Sequence, residues 1–295
     1  MLTAVTLPRR CTAREGLGAS AHLRQGRELF VPDLFVGQST VVLVQAGRKI
    51  VFGAGEQWVA EAGELILLPH GASYGVTNQL SGAAPYEAIS LMFDDSLLAA
   101  AMPAPTPAAT AAAVTLTAVT TAAPAPAFAP LSRPHVLRSP SASFRHTVER
   151  VRALWMDPAT PPTIARHAAL EVLAWLAVHG CRFAPSAQRS IPERLRALLV
   201  SAPAQSWHAA QAAAALNLSE ATLRRRLARE GTSMSRLLLE VRLCNAMMLL
   251  QASDDYVGQI ALASGFANHA HFSRLFKVRF GITPSQLRDP EAAAA

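Results

Sequence analysis

A chain of 295 residues has room for two domains, and its 51% apolar content, swollen by alanine, implies a smaller core than that figure suggests. The net charge of +7 rests almost wholly on arginine, since Lys49 and Lys277 are the only lysines; such a balance favours partners that present phosphate, although a GC-rich coding bias gives the same composition. Cys11, Cys181 and Cys244 are odd in number and far apart, which excludes a disulfide framework or zinc knuckle, and no proline-free apolar run is long enough to span a bilayer.

The opening stretch MLTAVTLPRRC has its arginines on the wrong side of a short apolar run for a signal peptide, so a soluble, cytoplasmic protein is expected. Cys11 follows Arg9 and Arg10, which would lower its pKa if they lie close, but a lone flexible thiol is the better reading. Residues 39–93 read as β: STVVLVQAG, KIVF, QWVAEAG, ELILLP and YEAISLMF are short apolar or alternating runs divided by Gly47, Gly53, Gly55, Gly63, Pro69 and Gly71. That spacing predicts a small barrel or sandwich. Within it, His70 reads as a surface histidine, and Trp58 and Tyr86 as core aromatics rather than pocket walls.

Residues 101–134 are dominated by Ala, Pro and Thr and are expected to be a linker, with VTLTAV as an alternative short strand. From Ser143 the period becomes helical: Phe144, Val148, Val151 and Trp155 share one face, and a second helix runs from about Thr163 to Gly180. These helices, within a connector spanning 135–190, either pair with a second copy of the chain or pack on the β-domain. Cys244, further on, is expected to be packed and inert.

Residues 191–290 hold twelve Arg or Lys against seven Asp or Glu, and they contain a repeat. SWHAAQAAAALNLSEATLRRRLAREG (206–231) and DYVGQIALASGFANHAHFSRLFKVRFG (255–281) each give an alanine-rich helix, a tight turn and a basic helix ending at glycine. Ser206 and Asp255 are candidate caps of the first helices, Ser219 and Asn268 of the second. Asn217 and Gly265 fall where the turn needs positive φ, and Leu218 and Phe266 follow to plug the gap. The layout is a helix-turn-helix, present twice. Counting from the caps, Leu223/Leu227 and Phe272/Phe276 make the buried stripes. Ala221 and Arg225, and Ala270 and Arg274, fall on the opposite faces, flanked by Glu220, Arg224, His269 and Ser273. Arginine on such a face can fork onto guanine in a major groove, and Lys277 suits a phosphate contact. The triplet His269-Ala270-His271 is not a chelate, because neighbours two apart on a helix point about 200° apart; metal pairs need i, i+3 or i, i+4 spacing.

The string GFxxxxxFSRxFKxxFGxTP, with Trp207, Leu218, Ser219, Leu223, Glu230-Gly231-Thr232, Arg242, Ala246 and Ile260-Ala261, makes residues 191–288 resemble the DNA-binding domain of the AraC/XylS family of bacterial transcription regulators. The resemblance implies two helix-turn-helix units on a connecting helix near 233–251, reading successive major grooves roughly 34 Å apart. It implies base contacts from Ala221, Arg224, Arg225, His269, Ala270 and Arg274, the same faces that the helix period selects. Residues 20–95 resemble, more weakly, the cupin-like sensor barrels found ahead of such domains, on LVQAGRKIVF, AGELILLPHG and PYEAISLMFDD. A metal-dependent cupin needs paired histidines and a carboxylate, and 39–93 holds only His70, so no metal or cofactor is expected. The expected architecture is therefore a cupin-like β-barrel at 1–100, an Ala/Pro-rich linker, a helical connector and an all-α double helix-turn-helix domain. The expected function is sequence-specific transcription regulation, commonly activation in that family, without enzymatic activity. Its expected partners are double-stranded DNA and RNA polymerase, with a small-molecule effector and a homodimer left open. A constitutive or architectural DNA-binding protein is the alternative. A DNA-repair alkyltransferase built on the same helical domain is a weaker one, because it needs a cysteine cluster and a Pro-Cys-His acceptor.

Overall fold

The computed structural model describes residues 11–82, 84–101, 129–185, 190–253 and 255–288; the VTLTAV stretch and most of the expected linker lie outside these. In chain order the described strands are β1 (Cys11–Arg14), β2 (Gly18–Gln25), β3 (Leu29–Phe35), β4 (Ser39–Ala46), β5 (Arg48–Gly53), β6 (Glu56–Glu61), β7 (Leu65–Leu68), β8 (Ser73–Gln79), β9 (Tyr86–Phe93) and β10 (His135–Leu137). Two sheets result, one in the order β1-β2-β9-β4-β7-β10 and one in the order β3-β8-β5-β6. They do not join into the closed barrel that the sequence reading expects. The same short strands and turns serve a barrel and an open pair of sheets equally well, and the choice is made by pairings distant in sequence, such as His135 with Leu67.

The six-stranded sheet is the middle of three layers. Val41 to Val44 are buried without a break, as a strand covered on both faces requires. Alternate residues go opposite ways. Val41, Leu43, Leu65, Leu67, Ile89 and Leu91 meet two helices, α2 (Ala142–Met156) and α3 (Pro162–Val178). Val42, Val44, Ile66 and Leu68 meet the four-stranded sheet at Val51, Tyr74 and Val76. The Phe144/Val148/Val151/Trp155 stripe is thus spent on the β-domain, and the Trp155 indole donates to the Ala165 carbonyl at 3.1 Å. Arg14 of β1 caps the end of α2 by donating to the carbonyls of Trp155 (3.0 Å) and Leu154 (3.0 Å). A short helix, α1 (Asp95–Ala100), buries Leu97 and Leu98 in the same layer. The β5–β6 hairpin turns through Ala54 and Gly55, both at positive φ, as a two-residue loop demands.

The C-terminal domain comprises α4 (Ile191–Ser201), α5 (Ala209–Ala215), α6 (Glu220–Arg229), α7 (Met234–Ala252), α8 (Val257–Ala263), α9 (His269–Phe280) and α10 (Pro284–Arg288). It sits against the β-domain along a continuous seam. Val31 of β3 enters the hydrophobic cluster of α7, α8 and α9, and Ala252 of α7 packs with Cys11 and Ala21. The Arg196 guanidinium lies 4.3 Å above the Phe35 ring. Arg279 of α9 donates to the Asp33 carbonyl and pairs with its carboxylate at 3.6 Å. Cys11, expected to be a loose thiol, is instead buried here, and burial pushes its pKa up to about 11. Cys244 is packed as expected, its pKa also raised by burial to about 11. His70 is half-buried, with Nδ1 3.0 Å from the Ser39 hydroxyl, so it is not a free surface histidine.

A chain of polar side chains crosses the seam. Lys49 Nζ donates to Asn78 Oδ1, Asn78 Nδ2 donates to Gln25 Oε1, and Gln251 Nε2 of α7 donates to the same Gln25 oxygen, each at 2.9 Å. Lys49 is 5% exposed and lies over the buried Tyr86 ring; among the described residues no carboxylate pairs with it. Burial lowers its pKa from 10.5 to about 8. Between these two values the unfolded chain holds more protons than the folded one, so the cost of burying the ammonium is full below pH 8 and fades as pH rises to 10.5. Cys11 and Cys244 act oppositely over part of that range, so the readout is a difference. Denaturant unfolding of wild type and Lys49→Met across pH 7.5–10.5 should show wild type gaining about 3 kcal/mol relative to the variant. Parallel curves would mean that Lys49 is solvated.

Candidate nucleic-acid interface

The two helix-turn-helix units, α5–α6 and α8–α9, are built alike from the turn outward. Asn217 has φ 57° and Gly265 φ 84°, the left-handed geometry expected of both. Leu218 follows half-buried and Phe266 buried, its ring centroid 5.0 Å from that of Phe272. Ser219 and Asn268 cap the second helices, accepting from the amides of Thr222 (3.2 Å) and His271 (2.8 Å). The first helices begin later than expected. Their caps are His208 and Tyr256 rather than Ser206 and Asp255, with each cap's backbone amide donating to a glutamine three residues on, Gln211 or Gln259, at 3.2 Å. A serine or aspartate near the start outranks these by intrinsic preference, but the glutamine's bond back to the cap amide fixes the register.

Identical phasing of α6 and α9 follows from these turns and caps. Leu223, Leu227, Phe272 and Phe276 are buried, while Ala221, Arg224, Arg225, His269, Ala270, Arg274 and Lys277 are exposed; Ser273 is half-buried. Arg224 and Arg225 form no ion pair among the described residues, so their charge faces solvent uncompensated. The Arg274 guanidinium lies 3.2 Å from His271 Nδ1. Arg229 and Lys277, in the last turns, also suit the negative ends of their helices. His269 and His271 are both exposed, and no three His, Cys, Asp or Glu side chains gather into a metal-like group among the described residues.

Sequence reasoning counted Arg242 only as a family residue and missed what it does. From α7 it donates to the carbonyls of Pro203 and Gln205, each at 3.0 Å, tying the loop before the first unit to the turn of the second. A Cβ on Gly265 would meet the Pro203 carbonyl oxygen at 2.7 Å and Arg242 Nε at 2.6 Å. Gly265 is therefore required twice, by its φ and by this close approach. Asn245 of α7 adds a 3.0 Å bond to the buried Ser264 hydroxyl.

Comparison with known proteins bears on this arrangement. A helix-turn-helix domain family matches residues 212–289. The urease operon transcriptional activator of Escherichia coli is 42% identical over 91 residues, 31% of this chain and 31% of that protein. The transcriptional activator RhaS of Escherichia fergusonii is 42% identical over 94 residues, 32% of this chain and 33% of its own length. The C-terminal domain belongs to the AraC/XylS family. The similarity spans about a third of the length of these relatives. Two solved structures of ToxT from Vibrio cholerae resemble nearly the whole chain. An apo variant gives a TM-score of 0.60 at 12% identity, covering 93% of this chain and 97% of ToxT. The unsaturated fatty acid-bound wild type gives 0.54 at 14%, covering 90% and 92%. At such identity the likeness establishes the fold alone: a sheet-rich N-terminal domain followed by a helical domain.

The packing separates wedge from reading face. Phe266→Ala should cost about 3–5 kcal/mol of stability, visible as a lower melting temperature. Arg274→Ala should leave melting unchanged. An unaltered melting temperature for Phe266→Ala would contradict a packed turn in the second unit.

Proposed function

We propose that this chain is a sequence-specific DNA-binding transcription regulator acting in the cytoplasm, with α6 and α9 entering two successive major grooves. The observation that carries this reading is the pair of identically phased helices that expose uncompensated arginine opposite a buried stripe. Ala221, Arg224, Arg225, His269, Ala270, Ser273 and Arg274 form the base-facing surface, and Lys277 reaches phosphate. Two of the relatives are named as transcriptional activators, and we extend activation to this chain, with RNA polymerase as its proposed partner. The seam supports control by the β-domain, because β2 and β3 bear directly on α7 and α9. ToxT holds an unsaturated fatty acid in one structure, and a small-molecule effector of this β-domain is part of the proposal. The exposed Ile164 and Val178 on α3 leave room for a homodimer through the connector.

Selection of bound sequences from random double-stranded DNA tests the reading. One enriched site is expected, and an unenriched pool would refute sequence specificity. Against that site, Arg225→Ala and Arg274→Ala should each cost about 1–3 kcal/mol with base choice relaxed locally. Lys277→Ala should weaken binding to all sequences alike and flatten the dependence of affinity on salt.

A further inference from the structure

We infer that the two units read the same base step twice, each taking a guanine through its arginine, Arg225 or Arg274, and a thymine through its alanine, Ala221 or Ala270. The inference rests on the DNA-reading function proposed above and specifies its substrate.

The basis is positional identity on two frames fixed independently. Each reading helix is phased by a side-chain cap, Ser219 or Asn268, that bonds the amide three residues on. Each is phased again by buried residues at the fourth and eighth positions after the cap, Leu223 and Leu227 or Phe272 and Phe276. With both ends of the phase set, equal offsets from the cap point the same way. The second position after the cap is alanine in both units, Ala221 and Ala270, and the sixth is arginine in both, Arg225 and Arg274; all four are exposed. Arginine presents the fork that matches O6 and N7 of guanine, and an alanine methyl matches only the C5 methyl of thymine among the major-groove edges. Two helices that enter their grooves at the same tilt therefore place an arginine, one turn along from an alanine, to select the same two bases at the same offset.

The flanking positions set the two copies apart. At the fifth position the first unit has exposed Arg224 and the second half-buried Ser273, and at the first position Glu220 stands against His269. At the ninth, Ala228 stands against Lys277. The first unit therefore adds a second base-directed arginine, and the late cation, where phosphate lies, sits at the ninth position in the second unit as Lys277 but at the tenth in the first as Arg229. The shared step should be embedded in unlike flanks, with the copy read by α6 the more tightly defined.

The test uses the full chain and DNA selected from a random pool. The selected site should contain one guanine/thymine step twice, at the same internal offset, about one helical turn apart. Arg225→Ala should erase the guanine preference in one copy and Arg274→Ala in the other, each with a roughly 5- to 150-fold loss on the intact site and none on a site already altered at that guanine. Ala270→Asn should move one thymine, in the Arg274 copy only, towards adenine. Replacing the two thymines by uracil, which removes only the C5 methyls, should weaken wild type. Melting temperatures equal to wild type confirm that these exposed substitutions leave the fold intact. A selected site whose two halves share no step overturns the inference while leaving sequence-specific binding standing, as do arginine variants that lose affinity equally on all sequences. A pool without enrichment overturns both.

Discussion

Helix α7 is the element against which every other part of the C-terminal domain is registered. Leu237 and Val241, on its first half, close the core of the first helix-turn-helix unit. Leu243, Ala246, Met247, Leu249 and Leu250, on its second half, close the core of the second. Its 19 residues make a rod of about 28 Å, close to the spacing of successive major grooves. A helix that serves two cores and a seam must be apolar on more than one face, which is why α7 shows no single stripe. Arg242 then ties the loop before the first unit to α7 by hydrogen bonds, and Asn245 does the same for the turn of the second, so the reading helices are held by a shared spine and not by contact with each other alone.

The end of that spine is where the β-domain takes hold. The contact there is made of small residues and neutral amides: Ala252 against Cys11 and Ala21, and Gln251 sharing the Gln25 oxygen with Asn78. Neutral amides bridge such a seam without the desolvation cost of a buried ion pair. The salt bridge between strand and reading helix, Arg279 to Asp33, lies at the rim, where solvent limits its worth. Lys49 is the exception, a cation buried at the far end of the amide chain and donating to Asn78.

Much of the C-terminal domain was legible in the sequence because its signals are local. A residue able to adopt positive φ, a plug next to it, a cap, and buried positions four and eight residues on occupy a dozen consecutive positions, and they recur. The β-domain carried fewer such signals. Residues 11–35, inside the expected β-domain, hold three strands that the residue pattern did not single out, since β2 shows weak alternation and finds its partner in β9, Ala21 opposite Ser90. The strand at His135–Leu137, inside what reads as a helical connector, exists because β7 leaves an edge for it. The uninterrupted run Val41 to Val44 did contain the clue to a middle layer, because a strand with one wet face alternates and this one does not. Arg14 capping a helix beyond residue 150, and Arg242 holding loop carbonyls near 203, have no local signature at all.

The seam is unequal in its reach, and this follows from which cores it enters. Val31 and Leu34 of β3 pack in the cluster of the second unit, and Arg279 ties the back of its reading helix to the same strand. The cluster of the first unit is made of α4 to α7 residues, and α7 meets it through its N-terminal half, remote from Gln251 and Ala252. A movement of β3 is therefore felt by α9 through Val31 and Arg279, and on the side of the first unit by α4 through Arg196 over Phe35. The two halves of the interface have matched faces but unmatched supports: β3 enters the hydrophobic core of the second unit through Val31, whereas against the first it sets the Phe35 ring under the Arg196 guanidinium of α4.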